Sequence, residues 1–214
     1  RSKESYEKYG GFLPIFEKEN VFSVLPKYDQ VAVIDADIYI KQGSPNVFDE
    51  ISTECHFGAQ FERELPVNEK YRGQIVKYSR EQLTNSVCKK YEWDFDHPNG
   101  GEFFNSGMIV YNSEPMLEKL GGTTPRQFMD RPEFRDFIDG IGPFRWQTDQ
   151  IMLNYWMKKD KLNVEHVDWK FNALFSALQQ GKVSEAHFVH FFMRHKLPQN
   201  GECIEQLMKA MITI

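Results

Sequence analysis

Two aspartates one residue apart, Asp35 and Asp37, follow the apolar run Val31-Ala32-Val33-Ile34. A continuous apolar run of this kind is what a central strand buried on both faces requires. The pair is therefore expected where that strand leaves the sheet. In open α/β sheets, ligands bind beyond the carboxyl ends of the strands. Two carboxylates at i and i+2 of an extended chain point the same way and can share one hard cation. Oxygen ligands suit Mg²⁺ or Mn²⁺, and such an ion bridges diphosphate oxygens and offsets charge on a leaving group. A solvated or capping aspartate pair has the same spacing. The apolar run in front of this one favours the metal site.

Two further stretches carry polar chemistry. Phe104-Asn105-Ser106-Gly107 opens a hydrophobic strand pattern that continues in Met108-Ile109-Val110-Tyr111. Asparagine offers a hydroxyl both a donor and an acceptor, and glycine removes the Cβ that would hold another group away. The same three residues also make an ordinary turn. Thr148-Asp149-Gln150 opens a helical run. Thr148 or Asp149 is a good N-cap, and a helix N-terminus projecting into a cleft is a natural place for a polar site. Trp146 suits either stacking on a sugar ring or a place in the core. Asp94 and Asp96 precede a glycine turn and read best as solvated loop residues.

The elements that must position these groups alternate between strand and helix. Strands are expected over Gln30–Ile40, His56–Phe61, Phe103–Tyr111, Val164–Trp169 and His187–His190, with a short extended run at Phe12–Phe16. Helices are expected over Ser5–Tyr9, Asn20–Lys27 (capped by Asn20), Glu114–Leu120, Pro125–Asp130, Thr148–Lys158 and Ile204–Ile212. Residues 66–99 read as an excursion of helix and loop. The alternation argues for an α/β fold with a mostly parallel central sheet flanked by helices. At 214 residues the chain is long enough for one domain with a buried core.

Composition narrows the partners. With 26 Lys and Arg against 31 Asp and Glu, the formal charge is −5, a poor match for nucleic acid or an anionic membrane. No run approaches the roughly 20 apolar residues of a membrane helix. Cys55, Cys88 and Cys203 are scattered and odd in number. They form neither a disulfide framework nor a zinc motif, and a reducing, cytoplasmic compartment is the expectation.

Taken in order, the motifs resemble those of the GT-A nucleotide-sugar glycosyltransferases. Tyr28-Asp29-Gln30-Val31-Ala32-Val33-Ile34-Asp35-Ala36-Asp37-Ile38 resembles the family's DxD segment, as found in glycogenin, lipopolysaccharide galactosyltransferases and the capsid-protein glycosyltransferases of chlorella viruses. Phe104-Asn105-Ser106-Gly107 resembles its FN(S/A)G strand, and Thr148-Asp149-Gln150-Ile151-Met152-Leu153-Asn154 its DQ..LN helix. Phe188-Val189-His190-Phe191 with Lys196-Leu197-Pro198 resembles its closing H(Y/F)xGxxKPW segment. The resemblance spans about residues 5 to 200. It implies Mn²⁺ or Mg²⁺ on Asp35, Asp37 and His190, and donor contacts from Lys18, Asp35, Ala36, Asn105, Ser106, Gly107 and Lys196. It places Asp149 and Gln150 beside the anomeric carbon as catalytic candidates. Imidazole suits Mn²⁺ beside two carboxylates. His187, three residues before His190, falls on the other side of an extended chain.

The implied function is metal-dependent transfer of a sugar from a nucleoside diphosphate donor, UDP-linked, to a glycan or glycoprotein acceptor. The sequence departs from the family at two places. Met193 stands where the closing loop has glycine, and the final Trp is missing. At the other end, the segment Ser5-Tyr6-Glu7-Lys8-Tyr9-Gly10 resembles the helix that follows the family's first, nucleotide-holding strand. The expectation is a single GT-A-like domain over 1–214, N-terminally truncated, with an open sheet edge that invites self-association. A non-catalytic sugar- or nucleotide-binding remnant of the same fold is the alternative. A haloacid-dehalogenase-like phosphatase, where the first Asp is the nucleophile, is the remote one, because its motif continues Gly-Thr and this chain has Ile38-Tyr39.

Overall fold

A computed structural model describes residues 14–139, 148–192, 195 and 197–210. The expected helix Ser5–Tyr9, Trp146, Met193 and Lys196 lie outside the described residues. The strands are β1 (Gln30–Ile34), β2 (Ile38–Ile40), β3 (Phe57–Phe61), β4 (Phe104–Asn112), β5 (Val164–His166), β6 (Ala173–Leu174) and β7 (Phe188–His190). The helices are α1 (Glu69–Leu83), α2 (Ser113–Leu120), α3 (Pro125–Met129), α4 (Arg135–Asp139), α5 (Thr148–Lys159) and α6 (Ile204–Ala210). The α/β class stands.

Several expectations change in detail. The strand expected over Gln30–Ile40 breaks at Asp35 into β1 and β2, which belong to different sheets. One sheet runs β1-β4-β3-β5 and the other β2-β7-β6. The mostly parallel sheet is corrected to a mixed one. β1 and β3 both pair antiparallel with β4, and β5 joins β3 in parallel. In the second sheet β2–β7 is antiparallel and β6–β7 parallel. β1 is also not the buried centre. It lies at one end of its sheet, and none of its five residues is fully buried. The central strand is β4, paired on both sides and buried at all nine residues. A run such as Val31-Ala32-Val33-Ile34 is equally at home on a half-covered strand, since β-branched residues fit any pleated surface.

Near the start, 3-10 turns cover Pro14–Ser23 and Leu25–Lys27. They replace the helix capped by Asn20 and the extended run at residues 14–16, its first two residues lying outside the described residues. Asn20 lies within the first of these, its amide donating to Glu17 at 2.5 Å. α5 forms as expected but is buried along Asp149–Met157 rather than on one face. Its Trp156 meets Phe22 and Phe128, which also touch each other, and Phe128 meets Phe134, in edge-to-face and tilted contacts. A smaller core of Leu174, Val189 and Phe191 with Tyr71 and Ile75 of α1 supports the second sheet. A third, with Met108 and Val110 of β4 and Phe188 of β7, joins the two sheets.

Antiparallel pairing decides where the site forms. Because β4 runs opposite to β1 and β3, its first residues lie beside their last. Asp35 after β1, the residues after β3 and Asn105-Ser106-Gly107 of β4 thus share one end of the sheet. There the β3–β4 register jumps, from Ala59 opposite Ile109 to Gln60 opposite Asn105. Ser106, Gly107 and Met108 have no β3 partner, and such irregularities re-aim backbone and side chains.

Candidate functional site

The tight turn Asp35-Ala36-Asp37 is pinned from both sheets. The Asp35 amide donates to the Gly107 carbonyl at 2.8 Å, the Ile38 amide to the Asp35 carbonyl at 3.1 Å, and the Phe191 amide to the Asp37 carbonyl at 2.9 Å. The last bond fixes the end of β7 beside the turn. His190 Nε2 lies 3.2 Å from Asp37 Oδ1 and 3.8 Å from Asp35 Oδ2. One ligand atom from each of the three lies within 4.8 Å of the others. The imidazole is almost fully buried, while the carboxylates are 28% and 43% exposed. The group is therefore anchored from beneath and open above. His187 is excluded from it and packs against Phe171 instead.

Lys18 reaches the same carboxylates from the first 3-10 segment. Its Nζ lies 2.6 Å from Asp35 Oδ1 and 3.4 Å from Asp149 Oδ2, and donates to the Ser106 carbonyl at 3.1 Å. Burial works against its charge, but Asp149 and Asp35 outweigh burial and hold the ammonium pKa above its usual value. Burial also pushes the Asp35 carboxyl up, opposed by Lys18. Asp37 is held below the usual carboxylate range, first by its hydrogen bond with His190.

Asp149 and Gln150 open α5 directly over β4. Ser106 Oγ donates to Asp149 Oδ2 at 3.2 Å, and the Ser106 amide to Gln150 Oε1 at 3.1 Å. Asn105 is buried and engaged within the protein. Its Oδ1 accepts from the Gly107 amide at 2.9 Å and from Asn172 Nδ2 at 3.0 Å. Gly107 has a packing role. A Cβ there would stand 2.7 Å from His190 Nδ1 and 2.8 Å from Asn105 Oδ1. The missing side chain is what lets the imidazole seat against β4.

Lys18, Asp35, Asp37, Asn105, Ser106, Gly107, Asp149, Gln150 and His190 thus converge. Ala36 sits exposed at the tip of the turn and offers no polar side-chain atom. Lys196 lies outside the described residues. Asp94 is a loop residue, paired with Arg63 at 2.7 Å.

Three participants escaped the sequence reading. Glu62, directly after β3, accepts from Asn105 Nδ2 at 3.0 Å and Gln150 Nε2 at 3.2 Å. Burial raises its pKa. The rule applied at Asp35, a carboxylate leaving an apolar strand, finds it as well. Asn172 binds His190 Nδ1 through Oδ1 at 2.9 Å, and no motif marks it. Glu19 is 2% exposed, and among the described residues neither carboxylate oxygen has a hydrogen-bond partner of good geometry. Burial first, then the Asp149 charge, pushes its pKa well above the usual range.

Solved glycosyltransferases align with much of this chain. The bifunctional glycosyltransferase WbbM aligns over 93% of this chain and 37% of its own, at 15% identity and a TM-score of 0.49. The galactosyltransferase LgtC, solved with donor and acceptor sugar analogues, aligns over 94% of this chain and 68% of its own, at 13% identity and 0.48. Mouse xyloside xylosyltransferase 1 aligns over 83% and 63%, at 15% identity and 0.44. The chain therefore spans little more than a third of WbbM and about two-thirds of the other two. No family model matches the sequence, and no curated protein does. Among the described residues no helix is long and apolar enough to cross a membrane.

Proposed function

We propose that this chain is a glycosyltransferase that moves a sugar from a nucleoside diphosphate donor, UDP-linked, to a glycan or glycoprotein acceptor. Mn²⁺ or Mg²⁺ would be held by Asp35, Asp37 and His190. The observation that carries the reading is the convergence of residues 35, 37 and 190, from two sheets, with ligand atoms within 4.8 Å, directly beside Lys18 and the start of α5. The residues fit a hard divalent cation. Two carboxylates and one imidazole are a suitable set for it, and both carboxylates are reachable from solvent.

When bound, the cation supplies positive charge against the charge that grows on a departing diphosphate. The chain's own groups divide the remaining work. Lys18 pairs with Asp35 and Asp149 and fixes their direction. Asp149 and Gln150, held by Ser106, present a carboxylate and an amide at the floor beside the metal ligands, where the donor sugar is proposed to lie. Lys196 is proposed to pair with the diphosphate. In an inverting reaction Asp149 would be the group to take the acceptor's proton. In a retaining one it would orient the sugar.

The test is a thermal melt of the protein with Mn²⁺, UDP and both, repeated on Asp37→Ala. A ligand that binds only the folded state raises the melting temperature by mass action. The expected result is stabilisation that needs metal and UDP together and vanishes in the variant. A cooperative wild-type melt unmoved by either ligand would sink the proposal. Hydrolysis or transfer of a radiolabelled UDP-sugar then separates an enzyme from a binding remnant.

A further inference from the structure

A chain of side-chain amides leads from the base of the site to His190, and its direction can be deduced. It begins at the Gly107 backbone N–H, which can only donate and points at Asn105 at 2.9 Å. The atom facing it must be Asn105 Oδ1, and Nδ2 then faces Glu62 Oε1 at 3.0 Å. The flipped amide would set donor against donor at Gly107 and acceptor against acceptor at Glu62. Asn105 Oδ1 also meets Asn172 at 3.0 Å, so Asn172 must present Nδ2 there. Its Oδ1 is thereby turned to His190 Nδ1, 2.9 Å away. A carbonyl oxygen only accepts, so Nδ1 must carry a proton. In the neutral ring with Nδ1 protonated, Nε2, on the side of Asp35 and Asp37, is the nitrogen without a proton. Asn172, Asn105 and His190 are all buried, so water cannot easily substitute for a lost link.

We propose that Asn172 is a positioning residue that fixes the tautomer of His190, its direction set by the Gly107 amide and Glu62 through Asn105. The proposal rests on the metal-site reading above, and it makes Nε2 the nitrogen that is bare whenever the ring is neutral, as ligation needs. Outer partners of a ligating histidine fix ring and tautomer, and their loss typically weakens metal affinity about 10- to 100-fold. No bond is made or broken, and Asn172 touches no reacting atom.

The test has two arms on the same protein. Long-range ¹H–¹⁵N NMR of metal-free protein, with the ring neutral, reports which nitrogen of His190 keeps its proton. The wild type is expected to show Nδ1–H. Asn172→Asp loses the donor to Asn105 Oδ1 but keeps an acceptor facing Nδ1 and is expected to retain that form, whereas Asn172→Leu removes both and is expected to lose it. A wild-type ring protonated at Nε2 with Nδ1 bare overturns the proposal, whatever the variants do. Mn²⁺ titration followed by EPR is the second arm. Asn172→Leu is expected to bind about 10- to 100-fold more weakly than wild type, with Asn172→Asp restoring most of the loss. Equal affinity in wild type and Asn172→Leu overturns the proposal. A wild type that binds no Mn²⁺ overturns the metal-site reading instead, and the NMR arm still decides the tautomer.

Discussion

Gly107 is the tightest point of the site, and alanine there is its sharpest test. An added Cβ would stand 2.7 Å from His190 Nδ1 and 2.8 Å from Asn105 Oδ1, and closer still to His190 Cε1. Non-bonded heavy atoms are at ease near 3.5–4.0 Å, so the imidazole or β4 must give by about 1 Å. The ring has little room, because it is 2% exposed and tied to Asn172. Overpacking of this kind costs about 1–3 kcal/mol. For a domain of this size that is a fall of roughly 2–12 °C in melting temperature. A metal-holding constellation must also stay within about 0.5 Å of its working geometry, so Mn²⁺ binding should be lost well before folding is.

Gly73 in α1 is the matching control. A Cβ there meets nothing within 4 Å, and alanine in place of a helical glycine stabilises by about 0.5–1 kcal/mol. The same substitution should therefore move the melt down at position 107 and up at position 73. Calorimetric melts with a Mn²⁺ titration of each variant decide it. If Gly107→Ala melts with wild type and still binds Mn²⁺ as tightly, His190 is not seated where the structure places it.

Two further outcomes follow from groups beneath the site. Burial raises the Glu19 pKa, so the native state holds a proton there that the unfolded chain has released above its ordinary pKa of about 4.5. Glu19's contribution is thus fully present below that pH and is lost as pH rises toward the folded value; Glu19→Gln should gain on wild type between pH 5 and pH 8, and an identical melting gap at both pH values would refute this. At Glu62, leucine would orphan the Asn105 and Gln150 amide donors, at about 1–3 kcal/mol for each buried group. Glu62→Gln keeps an acceptor and should recover most of that in a urea melt, and equal losses in the two variants would count against the network.

Much of the site was legible in the sequence because its residues follow recognisable elements. Asp35 and Asp37 come after an apolar run, Asn105 opens a strand and Asp149 opens a helix. Each such junction is local, and junctions are where chains emerge from cores. What remained hidden was non-local. That β4 rather than β1 is central depends on pairing between residues some eighty apart, such as Val31 with Tyr111, and hydrophobic patterning does not report partners. The break between β1 and β2 sits at the aspartates themselves, where period-2 patterning continues through Ile38-Tyr39-Ile40. Asn172 is invisible for a related reason. It follows the stretch Trp169-Lys170-Phe171, and only the fold brings it within 2.9 Å of His190.

Charge gives an independent reason for a cation at this place. Asp35, Asp37 and Asp149 bring three carboxylates together, against which the described residues set one ammonium, that of Lys18. With His190 neutral the difference is two negative charges. Lys18 cannot serve both ends of the group equally. At 2.6 Å from Asp35 and 3.4 Å from Asp149 it neutralises the side toward α5, leaving Asp37 and the far oxygen of Asp35 to face His190 Nε2. Acceptors facing one another without a cation or a proton between them are unfavourable at low dielectric. A proton on Nε2 relieves that arrangement only in part, and a divalent ion matches both the charge and the three ligand atoms. Lys18 and Asn172 thus act on the site from opposite sides. One offsets negative charge a metal would not need, and the other holds a proton on the ring nitrogen a metal would not use.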